Sequence, residues 1–138
     1  MTSGYSGTPL ARKLGLKPDF RYVLYNAPSN YMKWFNTLEI ELQQASIEKN
    51  ESADFIHVFC TDEQDLENVV RHYKSALVKN GMLWVSWPKG GSAIKTTIKR
   101  DMIRNYFLDN GLVDVKVAAI DEDWSGLKFV YRSKDRTS

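Results

Sequence analysis

Cysteine is almost missing from this chain. Cys60 is the only one among 138 residues, so no disulfide can form within it, and the fold must rest on its core. A chain of this length buries roughly two-thirds of the surface its unfolded form exposes, enough for such a core. A lone thiol favours a reducing compartment, and no run of about 18 apolar residues offers a membrane span. The opening MTSGYSGTPLARKLGLK has no long apolar run either. The expected location is therefore cytoplasmic, with no membrane partner. Histidine is scarce too: His57 and His72 are the only two, and neither clusters with Cys60, which argues against a zinc or iron site. The P-loop pattern GxxxxGK[ST] does not occur. Net charge is only +2, too little to demand a nucleic-acid partner.

What is present has the profile of a folded domain, 43% hydrophobic and 26% charged. Repeats, low-complexity tracts and an interdomain linker are all lacking, so the expectation is one domain over residues 1–138, with a helical segment in 1–18 and a frayed tail over 133–138. Thr8 and Pro9 signal a helix start and Gly15 a stop. FRYVLY, Phe20 to Tyr25, reads as a short strand, and a short helix is expected from Asn30 to Phe35. Leu38 to Leu42 alternates apolar and acidic residues, as an edge strand does. FIHVFC, Phe55 to Cys60, reads as a buried central strand. Thr61 and Gln64 then have capping-box spacing for a helix whose apolar stripe is Leu66, Val69, Val70, Tyr73 and Leu77, with Gly81 in the turn after it. MLWVSW, Met82 to Trp87, is a second central strand, and Thr97 to Asp109 a helix stopped by Gly111. Val113 to Ile120 and Leu127 to Arg132 read as strands joined by the acidic turn Asp121, Glu122, Asp123. Strands alternating with helices imply a three-layer α/β domain with a mainly parallel sheet and a C-terminal antiparallel hairpin.

Charge is uneven along the chain. Glu39, Glu41, Glu48, Glu51, Asp54, Asp62, Glu63, Asp65 and Glu67 stand against Lys49 alone, whereas Lys89, Lys95, Lys99, Arg100 and Arg104 face only Asp101. Such runs are ordinarily solvated faces; the sharper alternative is a basic loop beside a cleft, and it is the sole support for nucleic-acid binding.

The arrangement from Asp54 to Pro88, a strand, a capped helix ending in ALVKNG and the strand MLWVSW, resembles the centre of the class I S-adenosylmethionine-dependent methyltransferases, and the final hairpin resembles the one that closes that Rossmann-like fold. The strings YSGTPLARKLGLK, LWVSWPKG and GLVDVKVAAIDEDWSGLKFVYR resemble a bacterial family of small proteins known as domain of unknown function 3052, which brings no established activity or catalytic residues to carry over. The first resemblance implies a glycine-rich cofactor turn after the first strand and an acid after the second. Here the turn reads Asn26-Ala27-Pro28-Ser29-Asn30, without glycine and with one donor removed by Pro28. Glu39 or Glu41 could serve as the acid.

Other chemistries find little support. Cys60 precedes a helix start, where a thiol pKa can fall, but His57 lies three residues upstream on the same strand and points to the opposite face. A structural cysteine is the expectation. His72 reads as a surface residue, and the consecutive acids Asp121, Glu122 and Asp123 as a solvated turn. Trp84 and Trp87 read as sheet-packing residues, whereas Trp124 marks a partner contact if exposed and a hairpin anchor if buried. The loop Lys89-Gly90-Gly91-Ser92 follows a central strand and can hold an anion on backbone N–H groups and a lysine, or can be simply a tight turn. Open α/β sheets bind ligands beyond the carboxyl ends of their strands, so Asn26, Ser29, Thr61, Asp62, Lys89, Gly90, Gly91 and Ser92 form the candidate ligand site, with no catalytic and no metal-binding residue assigned. The expected function is a non-catalytic, methyltransferase-like module that binds a small anionic ligand or a protein and uses no cofactor. The alternatives are an S-adenosylmethionine-dependent methyltransferase with a degenerate cofactor turn and a nucleic-acid-binding protein. Oligomeric state is not legible.

Overall fold

A computed structural model describes residues 10–17, 19–31 and 43–136. Along these run helix α1 (Leu10–Leu14), strands β1 (Arg21–Tyr25), β2 (Gln43–Gln44) and β3 (Ala53–Phe59), helix α2 (Glu63–Asn68), strand β4 (Leu77–Pro88), helix α3 (Arg100–Leu108), strands β5 (Leu112–Ala119) and β6 (Trp124–Tyr131), and the turn of helix α4 (Ser133–Arg136). The strands form one six-stranded sheet in the order β2-β1-β3-β4-β6-β5. β1, β2, β3 and β4 are parallel, and β6 runs antiparallel between β4 and β5. The expected mainly parallel sheet with a closing antiparallel hairpin is what the chain forms.

Alternation along the central strands divides the core into two layers. Ile56, Val58, Cys60, Leu83, Val85, Leu127 and Phe129 face α2 and α3, where Leu66, Val69, Ile103 and Phe107 meet them. Phe55, Phe59, Trp84, Ile120 and Trp124 turn to the other side, where Leu14 of α1 and Tyr31 cover them. Because β3 and β4 are apolar on both faces, they sit in the middle of the sheet, whereas β1 buries only Val23 fully. Trp84 is completely buried and its indole N–H donates to the Leu14 carbonyl at 2.9 Å. Trp87, three residues on, packs on the opposite face.

Gly15 and Gly111 stop their helices as expected, in left-handed conformations at φ 87° and 90° that cost glycine little. Several boundaries differ from the sequence reading. The cap of α2 is Asp62 instead of Thr61: the Asp62 carboxylate accepts the Asp65 N–H at 2.9 Å, and Asp65 reaches back to accept the Thr61 N–H at 3.0 Å. Asp65 holds the third helical position as in a capping box, but its carboxylate returns to the N–H of the residue before the cap and not to that of the cap itself. After α2 the chain widens into a π-helical stretch, Val69–Tyr73, then a 3₁₀ turn, Lys74–Ala76. Leu77 thus belongs to β4, and Gly81 lies inside that strand instead of in a turn before it. Register slips there, from Ala53 opposite Leu77 to Phe55 opposite Met82, and a Cβ on Gly81 would stand 2.8 Å from Leu77 and 3.0 Å from the Asp54 carbonyl. Helix α3 begins at Arg100, three residues later than expected, because the Thr96 hydroxyl caps the Ile98 N–H and the Thr97 N–H goes to Thr61. The tail expected to fray closes one helical turn, in which the Arg136 N–H donates to the Arg132 carbonyl. The helix start at Thr8 and Pro9, most of the helix expected over Asn30 to Phe35 and the strand over Leu38 to Leu42 lie outside the described residues.

Candidate functional site

The direction of chain progression reverses between β1 and β3, which are neighbours in the sheet while β2 lies on the far side of β1. In open α/β sheets the crevice beyond the carboxyl ends at such a reversal is where ligands bind. Here it lies between the turn after β1 and the segment Cys60 to Asp65 after β3.

Asn26 and Ser29 are exposed in the first of these turns. Asn26 adopts φ 55°, the left-handed region that asparagine tolerates better than most residues. The chain therefore makes without glycine a bend that glycine would ordinarily supply. Immediately before it, the Tyr25 hydroxyl donates to Asp65 at 2.8 Å and accepts from the Asn68 amide at 3.3 Å, while the Tyr25 ring meets Tyr73 edge-on. Burial and the neighbouring Asp65 carboxylate raise the Tyr25 phenol above its usual range, against the Asn68 amide, which lowers it. This bridge ties the end of β1 to α2 across the reversal point. Sequence reasoning passed over Tyr25 and Asp65 as strand and helix residues.

Thr61 and Asp62, both candidates from sequence, line an open cleft of about 490 Å³ together with Lys95, Thr96 and Thr97. The far wall is fastened to the near one. The Thr61 carbonyl accepts both the Thr97 N–H and the Thr96 hydroxyl at 2.9 Å, and the Thr97 hydroxyl donates to Glu63 at 2.8 Å. That last bond holds the Glu63 carboxyl below its ordinary pKa. Lys95, Thr96 and Thr97 were missed, although an apolar period that begins only at Ile98 leaves KTT ahead of the helix, free for other use.

The remaining candidates lie elsewhere in the same loop. Lys89 donates its backbone N–H to the Asp123 carbonyl, and the Ser92 hydroxyl donates to the Asp123 carboxylate at 2.9 Å. The Ser92 N–H closes a turn onto the Lys89 carbonyl at 3.0 Å. Gly90 and Gly91 are exposed at its tip, where an added Cβ would meet nothing within 4 Å. This turn is braced against the β5–β6 connection, whereas Lys95 to Thr97 are braced against Thr61. One end of the loop after β4 thus meets Thr61 and Asp62, and the other end, which holds Lys89 to Ser92, meets Asp123.

Near this end of the sheet the thiol and the imidazole are enclosed, whereas the carboxylates of Asp62 and Glu63 are exposed. Cys60 is fully buried, and burial, with Asp65 and Asp62 close by, pushes its thiol well above the ordinary range. His57 points to the other face, as expected, and there forms a buried chain: Nδ1 lies 2.9 Å from the Tyr31 hydroxyl and Nε2 2.8 Å from the Ser86 hydroxyl. Burial lowers the imidazole to about 3, so it is neutral at physiological pH. His72 is exposed. In the hairpin turn Asp121 accepts the N–H groups of Asp123 and Trp124. Trp124 is only 8% exposed and packs edge-on against Phe59 at 4.9 Å, so it anchors the hairpin. No group of side chains suited to hold a metal occurs among the described residues, and no described helix is long and apolar enough to cross a membrane. Of the basic stretch, Arg104 is engaged by Asp114 at 3.1 Å, while Lys95, Lys99 and Arg100 are exposed. Glu39 and Glu41 lie outside the described residues.

No family model matches the chain, and no curated protein matches it in sequence. Its fold, in contrast, is shared widely among solved structures. It is similar to a SAM-dependent methyltransferase from Aquifex aeolicus with a TM-score of 0.58 at 11% identity, over 87% of this chain and 86% of that one. A ribosomal protein L11 methylase from Lactobacillus delbrueckii subsp. bulgaricus gives 0.57 at 13% identity, over 89% and 75%. LepI, solved in complex with SAM, gives 0.52 at 12% identity over 91% of this chain, which spans about half of LepI, 47% of its length. The chain has the Rossmann-like methyltransferase fold, with its mixed sheet and antiparallel C-terminal hairpin.

Proposed function

We propose that this chain is a non-catalytic module on the methyltransferase fold that binds a small anionic ligand at the carboxyl end of its sheet. The observation that carries the reading is the cleft of Thr61, Asp62, Lys95, Thr96 and Thr97: an exposed lysine on one wall, beside threonine hydroxyls already donated to Thr61 and Glu63, and an acid-capped helix start on the other. Asp62 and Glu63 repel an anion placed directly on α2. A fitting ligand therefore turns its anionic group to Lys95 and its hydroxyls to Asp62, as a sugar phosphate or nucleotide can. Asn26 and Ser29 form the rim on the β1 side, and Lys89, Gly90, Gly91 and Ser92 extend the site only if the ligand reaches past Lys95. Methyl transfer is disfavoured because Pro28 offers no N–H in the turn and Tyr25, joined to Asp65 and Asn68, ties the end of β1 to α2. The reading also takes the chain as a bacterial, cytoplasmic protein of the domain of unknown function 3052 kind, resting on the strings YSGTPL and WSGLKFVYR and on a single cysteine.

One observation favours the enzyme alternative. The left-handed bend at Asn26 keeps the tight turn that close approach of S-adenosylmethionine would need, and the similar structures include one solved with SAM. A thermal-shift panel of nucleoside monophosphates, sugar phosphates, inorganic phosphate and S-adenosylmethionine separates the two. A ligand at a hundred times its Kd stabilises by about 2.7 kcal/mol. The expected outcome is a rise in Tm with a phosphorylated, hydroxylated compound, and its reduction in Lys95→Ala. A rise with S-adenosylmethionine alone would transfer the assignment to the enzyme.

A further inference from the structure

The open face of the sheet beside α1 holds a second concentration of charge, remote in sequence from the cleft. Lys116 and Lys128 stand directly opposite each other on β5 and β6. Like charges in that position destabilise a sheet, and no packing need explains two lysines there, since a β-branched or aromatic pair would do better. The end of α1 lies against this pair. The Lys116 amine donates to the Lys13 carbonyl at 2.9 Å, and the Lys13 amine to the Ala119 carbonyl at 3.3 Å. The Lys128 amine stands 3.8 Å from where a Cβ on Gly15 would be, two residues from Lys17. The C-terminal carbonyls of α1 account for Lys116, because cations are favoured at a helix end, but they do not account for Lys128. Burial, and then repulsion from Lys116 and Lys17, lower the Lys128 amine below its usual pKa. That repulsion is relieved when an anion sits among the amines.

We infer that Lys17, Lys116 and Lys128, with Lys13 beside them, form a binding site for a multiply charged oxyanion of the phosphate or diphosphate class. Lys116 and Lys128, from the two strands of the hairpin, meet at the end of α1, and Lys17 stands near enough to repel Lys128; the point charges of lysine suit a compact anion with no fixed plane. The site is separate from the cleft of Thr61 and Lys95 and does not depend on that assignment.

Calorimetric titration of inorganic diphosphate at low ionic strength tests it in the wild-type chain and in Lys128→Ala, Lys17→Ala, Lys95→Ala and Lys49→Ala. Saturable binding is expected in the wild type, Lys95→Ala and Lys49→Ala, with roughly tenfold weaker binding in Lys128→Ala and Lys17→Ala. Lys17 is exposed, so its variant keeps the test valid if Lys128→Ala fails to fold. Absence of binding in the wild type overturns the inference, as does equal affinity in Lys17→Ala. So does binding that is lost in Lys95→Ala and kept in Lys17→Ala, which would put the anion in the cleft. Affinity for duplex DNA with none for diphosphate likewise overturns it in favour of a polyelectrolyte surface.

Discussion

Replacing Trp84 by alanine is expected to cost about 3–5 kcal/mol of stability, the range for emptying a fully packed aromatic site. The indole is completely enclosed, it closes the face covered by α1, and Gly126 is held so near that a Cβ there would stand 3.2 Å from its ring. Removal also leaves the Leu14 carbonyl without the indole donor it now has, adding to the loss because buried acceptors are costly when unpaired. A domain with a total stability of about 5–15 kcal/mol would lose much of it. Chemical denaturation should show the midpoint falling steeply in Trp84→Ala and less in Trp84→Phe, which keeps most of the volume. A midpoint within error of wild type in the alanine variant would contradict the packing described for this layer.

The second large effect concerns acid. His57 is held neutral in the folded chain, its pKa lowered from 6.5 to about 3 by burial. The hydroxyls of Tyr31 and Ser86 could accept from both ring nitrogens, so the obstacle to protonation is the absence of water, not a shortage of acceptors. In the unfolded chain the imidazole takes up its proton near 6.5. Below that value the unfolded state binds a proton that the folded state refuses, and stability falls as pH falls until the folded value is reached; above 6.5 the group contributes no pH dependence. The slope is about 1.4 kcal/mol per pH unit, or about 2 kcal/mol between pH 7 and pH 5. Denaturation at those two values in wild type and His57→Gln should show the loss in the first and a flatter profile in the second. Asp54 adds an acid-labile contribution of its own. Although burial raises its carboxyl, hydrogen bonds and attraction from Arg21 more than offset this and leave it lowered, so its share is lost as pH falls from the ordinary carboxylate value through the lowered one, beneath this window.

How much of this was legible in the sequence depended on the range of the forces involved. Central strands β3 and β4 could be read because burial on both faces leaves mostly apolar runs, Phe55 to Cys60 and Met82 to Trp87, interrupted only by His57 in one and Ser86 in the other. The helix ends at Gly15 and Gly111 were visible because a left-handed residue has a narrow choice of side chains. Thr61 and Asp62 followed from topology alone, since residues just after a central strand must lie at the carboxyl edge. Irregularity in the crossover was hidden: the widening at Val69–Tyr73 and the slip at Gly81 are settled by how β4 pairs with β3, which no local pattern records. Lys95 to Thr97 carry no local sign of their role either. Their place in the cleft is set by bonds to Thr61, 35 residues away in the case of Thr96. Composition drew notice to the glycine pair instead, and the structure places it at the tip of a turn braced by Asp123. The buried chain from Tyr31 through His57 to Ser86 joins three segments and was equally beyond reach.

The Tyr25 hydroxyl, bonded to Asp65 and Asn68, ties the end of β1 to α2, and Pro28 withholds an N–H from the turn beside it; both are expected to disfavour S-adenosylmethionine. Titrating S-adenosylmethionine into the purified wild-type protein in a calorimeter interrogates that claim directly. No saturable heat is predicted at concentrations that saturate the protein with whichever phosphorylated compound raises its Tm; a one-site isotherm for S-adenosylmethionine would contradict it.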